Sequence, residues 1–347
     1  MLKVNIRRFA WLGLALALAG CVSSAPKAAK APAWVSDPHS AYPDADYLVS
    51  VGEGSSRDRA EKNAIAALVK IFGQSVSVDS QAVQRYSEAV KNGTISVEKG
   101  MDVTQSVNSS ASFNLIIGVE TPEYWFDGKS DYYSVAVIPR AKTALAYGSL
   151  IDRNDESVQG LISLPDSDTY TLEAYSRYSL AADIADVNAQ YLAILSVLSP
   201  AAAKLHGDGR TGESLRLDRA KLAEKIGFQI KMLSANDRIK TAIAEALAAA
   251  GFKSDAGDSA RYVVEARVEL GPVELKNNEN KFSRYVLEIN LRDAISGKVL
   301  LPFGKNGRSG QLTQSEADAR AVRAAESAAR EDFAKAFADY IDSYARK

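Results

Sequence analysis

Two stretches toward the C-terminal end alternate between apolar and polar residues, and a strand with one buried face is the local structure that suits them. Tyr262, Val264, Ala266, Val268 and Leu270 fall on one parity, and Tyr285, Leu287, Ile289 and Leu291 repeat the pattern. A period of two places each set on one side of a strand. The polar loop Lys276 to Lys281 (KNNENK) joins them as a hairpin. The oily face of such a sheet needs helices to cover it. Ile226, Phe228, Ile230 and Met232 alternate as a further strand. Asn236 then caps a helix with Ile239, Ile243, Leu247 and Ala250 inward, ended by Gly251-Phe252. Thr313 to Glu316 (TQSE) is a capping box for a long C-terminal helix with Phe333, Phe337, Tyr340 and Ile341 on its core face.

The same logic applies upstream. Tyr47 to Gly52 is a short apolar strand, and Ser55 or Ser56 caps a helix facing inward through Ala60, Ala64, Leu68 and Ile71. Ile65 and Phe72 widen that face, and Gly73 ends the helix. Val76 and Val78 read as a half-buried strand. Alternate positions from Val103 through Phe113 and Leu115 to Val119 read as one long strand, bent near Asn108 to Ser110, with Asn92-Gly93 as a turn before it. Tyr132 to Ile138 is apolar on both faces and therefore central, entered through a hairpin turn at Asp127-Gly128. Arg140 to Leu150 is a closing helix. Leu172, Tyr175, Tyr178, Ala182, Ala185, Leu192 and Leu195 describe a helix stopped by Pro200, and His206 to Gly212 (HGDGRTG) reads as a mobile linker. The expected architecture is α+β: two antiparallel-sheet domains, residues 34–154 and 213–347, each with helices on one face. A helical connector, residues 155–212, joins them.

The N-terminus reads as a secretion signal over residues 1–20. Lys3, Arg7 and Arg8 precede an uncharged run, Phe9 to Leu18, about half of the roughly 20 residues a spanning helix needs. No later stretch is expected to span a bilayer. Leu18-Ala19-Gly20-Cys21 matches the lipobox of bacterial lipoproteins. That resemblance implies cleavage before Cys21 and acylation of its sulfur and new amine, which gives stable membrane anchoring. Val22 follows, not the Asp of the inner-membrane retention signal of enteric-type bacteria, so the expected location is the outer membrane, facing the periplasm. Residues 21–33 form a tether; its featureless part, Ser23 to Pro32, extends at most about 35 Å. Removing residues 1–20 takes away three cations and no acid, so the formal charge of −1 becomes about −4. Such a balance argues against nucleic acid as a partner.

Cys21 is the only cysteine and there are two histidines, so disulfide frameworks and thiolate zinc sites are excluded. No cofactor is expected beyond the covalent lipid. Gly52-Glu53-Gly54 lies where a dinucleotide motif would, but Arg57 replaces the third glycine and no parallel βαβ unit is expected after it; a tight strand-to-helix turn is the expectation. There is no G-x-S-x-G elbow. His39 and His206 stand in a lead-in and a linker, which speaks against a Ser-His-Asp hydrolase. Asp44 with Asp46, and Asp166 with Asp168, read as capping or solvated carboxylates. Tyr124, Trp125, Phe126, Tyr132 and Tyr133 form the densest aromatic cluster. The rings either pack across their hairpin into the core, the favoured reading, or present a partner-binding surface. Trp34 has the same two readings: a partner contact, or a staple of the tether on the domain.

Pro32-Ala33-Trp34-Val35, Tyr47-Leu48, Val51-Gly52-Glu53-Gly54-Ser55 and Ala60-Glu61, with Ala64, Ala67 and Leu68 behind them and a closing Tyr133 to Pro139 (YSVAVIP), come in that order after the lipobox. This stretch resembles the Lpp-twenty lipoprotein family, which includes a helicobacter outer-membrane lipoprotein and flagellar lipoproteins of the FlgP type. The third part looks like the accessory α/β fold of FlgO-type and LpoB-type envelope lipoproteins. The resemblance implies a non-catalytic structural or scaffolding role in the envelope, with envelope or flagellar proteins as partners and a homo-oligomer as one arrangement. The alternative it leaves open is a periplasmic activator of a peptidoglycan synthase. An enzyme of unknown class is a remote third.

Overall fold

A computed structural model describes residues 30–72, 80–95, 115–276 and 278–344. Two single helical turns, α1 (Ala33–Ser36) and α2 (Pro38–Ala41), precede β1 (Tyr47–Gly54). α3 (Arg57–Lys70) follows at once, its first turn capped by the Ser56 hydroxyl, which accepts from the Arg59 amide. Ala60, Ala64 and Leu68 are buried as the spacing predicts. Ile71 is 43% exposed, whereas Phe72 is buried. The helix ends at Lys70, and the turn that follows carries Ile71 off the apolar stripe and swings Phe72 onto it.

α4 (Ser80–Lys91), which the sequence reading missed, buries Ala82, Val83, Tyr86 and Ala89. Gly93, with φ +76°, makes the expected turn after it. β2 (Glu120–Phe126) and β3 (Tyr132–Pro139) complete an antiparallel sheet of order β1-β3-β2, with β3 central as expected. The expected strand at Val76 and Val78, and the long one up to Phe113, lie outside the described residues. Leu115 to Val119, its last part, is not strand, and β2 starts at Glu120 with a register break before Glu123. Pro122 sits in that break, where its missing N–H interrupts the ladder.

α5 (Arg140–Ile162), α6 (Leu172–Leu198), α7 (Pro200–Leu205) and α8 (Gly212–Ala223) come next. The domain boundary expected at residue 154 falls inside α5, which runs unbroken across it. Nor is the helical stretch a mere connector: Val158, Leu161, Ile184, Tyr191 and Leu195 share one core with Leu48, Leu68 and Ile138 of the first sheet unit. Leu172 and Ala174, at the other end of α6, belong to the second core. Of the helices among the described residues, α6 has the length and hydropathy of a membrane span, contrary to the sequence reading. Its side chains are buried around most of its circumference, as a helix shared by two cores requires. The segment read as a mobile linker is pinned: the His206 ring pairs with Asp152 at 2.6 Å and Arg210 with Asp218 at 2.5 Å.

The second sheet contains β4 (Phe228–Met232), β5 (Tyr262–Val273), β6 (Lys281–Asp293) and β7 (Val299–Gln311), in that spatial order. α9 (Asp237–Ala249), α10 (Gln314–Ser327) and α11 (Phe333–Tyr344) pack on it. Asn236 caps α9 and the Thr313–Glu316 box opens α10, both as expected. The sheet is not purely antiparallel. β4 pairs parallel with β5, because α9 crosses over between them and returns the chain in the same direction. β7 was not legible: Pro302, Gly304, Gly307 and Gly310 break any alternation. An edge strand tolerates proline, and the two last glycines make room for aromatic rings. A Cβ on Gly307 would lie 2.6 Å from the Tyr285 ring, and one on Gly310 would lie 2.5 Å from Phe282.

Candidate partner-binding site

β2 and β3 form a hairpin turned at Asp127-Gly128, with Gly128 at φ +81°. Asp127 Oδ1 accepts from the amides of Lys129, Ser130 and Asp131, at 2.7, 3.0 and 3.1 Å. Those N–H groups hold its carboxyl below the usual carboxylate range. The aromatic residues follow the two-residue period and divide between the faces of the sheet. Tyr124, Phe126 and Tyr132 point to the side on which α3 packs, and Trp125 and Tyr133 point to the other.

On the α3 side the rings are open to solvent. Tyr124 is 51% exposed and Phe126 is 40% exposed. Phe126 leans on Tyr132 with ring centroids 4.6 Å apart. The Arg57 guanidinium, from the first turn of α3, stands 4.0 Å from the centre of the Tyr124 ring. Arg57 itself is held by Glu61 at 2.7 Å. The result is a shelf of three rings and a fixed cation at one end of the sheet. The sequence reading noted Arg57 only as standing in place of a third glycine; its position over the Tyr124 ring, from the first residue of α3, is a tertiary fact.

On the other face, Trp125 packs on Tyr133 with centroids 5.4 Å apart. Trp34 is buried there against Val49, Val135 and Val137. Its indole N–H donates to Glu123 Oε2 at 2.9 Å, and the Tyr42 hydroxyl donates to Glu123 Oε1 at 2.8 Å. Burial, with the Glu123 carboxylate beside it, pushes the Tyr42 phenol up to about 12. Trp34 therefore offers no surface to a partner: it is the staple. Trp125, half-buried on the same face, does not join Tyr124 and Phe126 in one patch.

The remaining motifs are structural in these positions. A Cβ on Gly52 would lie 2.1 Å from the Ala64 amide nitrogen and 2.3 Å from the Ala60 carbonyl. Gly52 is thus the point where the α3 backbone rests on β1, and the Ser50 hydroxyl donates to the Ala64 carbonyl beside it at 2.6 Å. His39 pairs with Asp44 at 2.9 Å at the surface. Asp166 and Asp168 form a short 3₁₀ turn before Thr171, which caps α6. Among the described residues no group of three His, Cys, Asp or Glu is arranged to hold a metal. Leu18, Ala19, Gly20 and Cys21 lie outside the described residues.

This strap, sheet and hairpin can be compared with known proteins. Residues 32–139 match the LPP20 lipoprotein family model. The match begins two residues before the Trp34 staple and ends with the last residue of β3, so it covers the first sheet unit. That similarity supports a lipoprotein of the envelope. No curated protein matches the chain. Among solved structures, the secreted protein HP1454 from Helicobacter pylori is similar over 82% of this chain and 97% of its own, at 13% identity and a TM-score of 0.42. A minor lipoprotein from Acinetobacter baumannii is similar over 34% of this chain and 91% of its own, at 18% identity and a TM-score of 0.25.

Proposed function

We propose that the protein is held in the outer membrane by lipid on Cys21, faces the periplasm, and works without catalysis as a structural or scaffolding component of the envelope. Its partner is an envelope protein, a flagellar component being one such. The observation that carries this reading is a match to the LPP20 lipoprotein family directly downstream of a lipobox. Tyr124, Phe126 and Tyr132, with Arg57 above them, are the surface through which it binds; exposed tyrosine, phenylalanine and arginine side by side have the composition of an interface hot spot.

Two experiments test the proposal. Replacing Tyr124 or Phe126 with a photo-crosslinking amino acid in cells should capture one envelope or flagellar protein, and the same probe at exposed Glu279 should not. Capture of a cell-wall synthase would replace scaffolding with synthase regulation, and no capture beyond the Glu279 control would remove the shelf as an interface. Separately, Cys21→Ser should release the protein from the outer-membrane fraction. Unchanged fractionation would overturn the anchor.

A further inference from the structure

A second feature lies away from the aromatic shelf and owes nothing to the reading above. α5 and α7 enclose a groove of about 570 Å³, within the roughly 300–1,000 Å³ range of small-ligand sites. It follows α5 from Arg140 to Asp152, twelve residues, which at 1.5 Å per residue is about 18 Å. Ala144, Leu145, Leu198 and Leu205 give it apolar walls. Leu145 and Leu205 are 76% and 79% exposed, among the most exposed large apolar side chains of the described residues. Two leucines bordering one groove form an apolar surface that water covers poorly.

The ends of the groove differ in charge. At one end Arg140 donates to the carbonyls of Val197 and Leu198 at 2.8 and 3.4 Å, closing the end of α6. Among the described residues its charge meets no carboxylate, and its Nε has no acceptor. The N-terminal end of α5 adds its partial positive charge there. At the far end Asp152 is already engaged by His206. A groove with apolar walls, about as long as an extended long-chain acyl group, with an arginine at one end and an already paired carboxylate at the other, is complementary to a molecule that is apolar along its length and anionic at one tip.

We propose that the groove between α5 and α7 binds a free long-chain fatty acid, with its carboxylate beside Arg140 and its chain between Leu145 and Leu205. The test uses the chain from residue 21 onward carrying Cys21→Ser, purified without detergent, delipidated, and titrated with palmitate by calorimetry. Saturation at one palmitate per chain is expected. Leu145→Asp and Leu205→Asp, at positions too exposed to affect folding, should each weaken binding about tenfold or more with unchanged circular dichroism. Arg140→Gln should weaken binding of palmitate and leave hexadecanol binding unchanged. The proposal fails if monomeric palmitate does not saturate the protein, or if both leucine variants bind as well as the parent. It fails equally if the protein binds vesicles of phosphatidylcholine and phosphatidylglycerol but not palmitate, which would mark a membrane-surface contact instead. Equal affinity of the parent for hexadecanol and palmitate would overturn the role of Arg140.

Discussion

Trp34 and Glu123, eighty-nine residues apart, are joined by a 2.9 Å hydrogen bond from the indole nitrogen to the carboxylate. Tyr42 occupies the other carboxylate oxygen. The segment carrying α1 and α2 is thereby fastened over Val49, Val135 and Val137, and the face of the first sheet that α3 leaves open acquires a core of its own. The bond thus fixes where the segment entering from the N-terminus meets the folded domain.

Removing the staple should cost more than its hydrogen bond. Trp34→Ala is expected to destabilise the protein by about 3–5 kcal/mol, the range for deleting a buried aromatic side chain. Trp34→Phe keeps most of the packing and should cost about 1.5–3 kcal/mol, the value of a bond to a charged acceptor. Urea unfolding of both variants separates packing from polarity.

The Tyr42 phenol predicts behaviour in alkali. Its folded value, about 12, lies above the ordinary 10.0, so the native state holds this proton more tightly than the unfolded chain. The resulting stabilisation is complete below pH 10 and is lost as pH rises through 12. Tyr42→Phe should therefore be less stable than the parent at neutral pH by about 1 kcal/mol. The gap should narrow between pH 10 and 12, as read from urea midpoints across that range.

Two glycines should respond in opposite senses. At Gly52 a methyl group would collide with the α3 backbone, and Gly52→Ala should destabilise by about 3 kcal/mol or more. Gly160, on the exposed side of α5, has open space around it. Gly160→Ala should stabilise by about 0.5–1 kcal/mol through helix propensity and reduced chain freedom. Thermal melts of the pair decide whether close backbone approach, and not a ligand, explains Gly52.

Arg85 on α4 reaches Asp183 on α6 at 3.1 Å and Asp342 on α11 at 3.5 Å, so one cation ties the first sheet unit to the C-terminal helix. Burial raises the Asp183 carboxyl against the opposing pull of Arg85. Asp183 is the more buried acid, and Asp183→Ala should cost about 2 kcal/mol, against less than about 1 kcal/mol for Asp342→Ala. Denaturant unfolding followed by tryptophan fluorescence, which reports Trp34 and Trp125 of the first unit, and by circular dichroism, which reports both units, should give separate midpoints in the Asp183 variant.

What the sequence determined by itself is what one chain segment decides alone. The alternation in β5 and β6, the caps at Ser56, Asn236 and Thr313, the central place of the apolar β3 and the turn at Asp127-Gly128 all depend on neighbours a few residues away, where period and capping chemistry act. Tertiary structure decided what distant segments do to one another. Only packing joins residues 155–212 to the first core, turns β4 parallel to β5, and admits a glycine-rich β7 because rings on β6 cover it. The aromatic cluster shows both halves. Its composition was plain in the sequence. Yet which face lies open and which is sealed depends on Trp34, a residue no local pattern could bring to Glu123, since burial belongs to the assembled sheet and not to the strand.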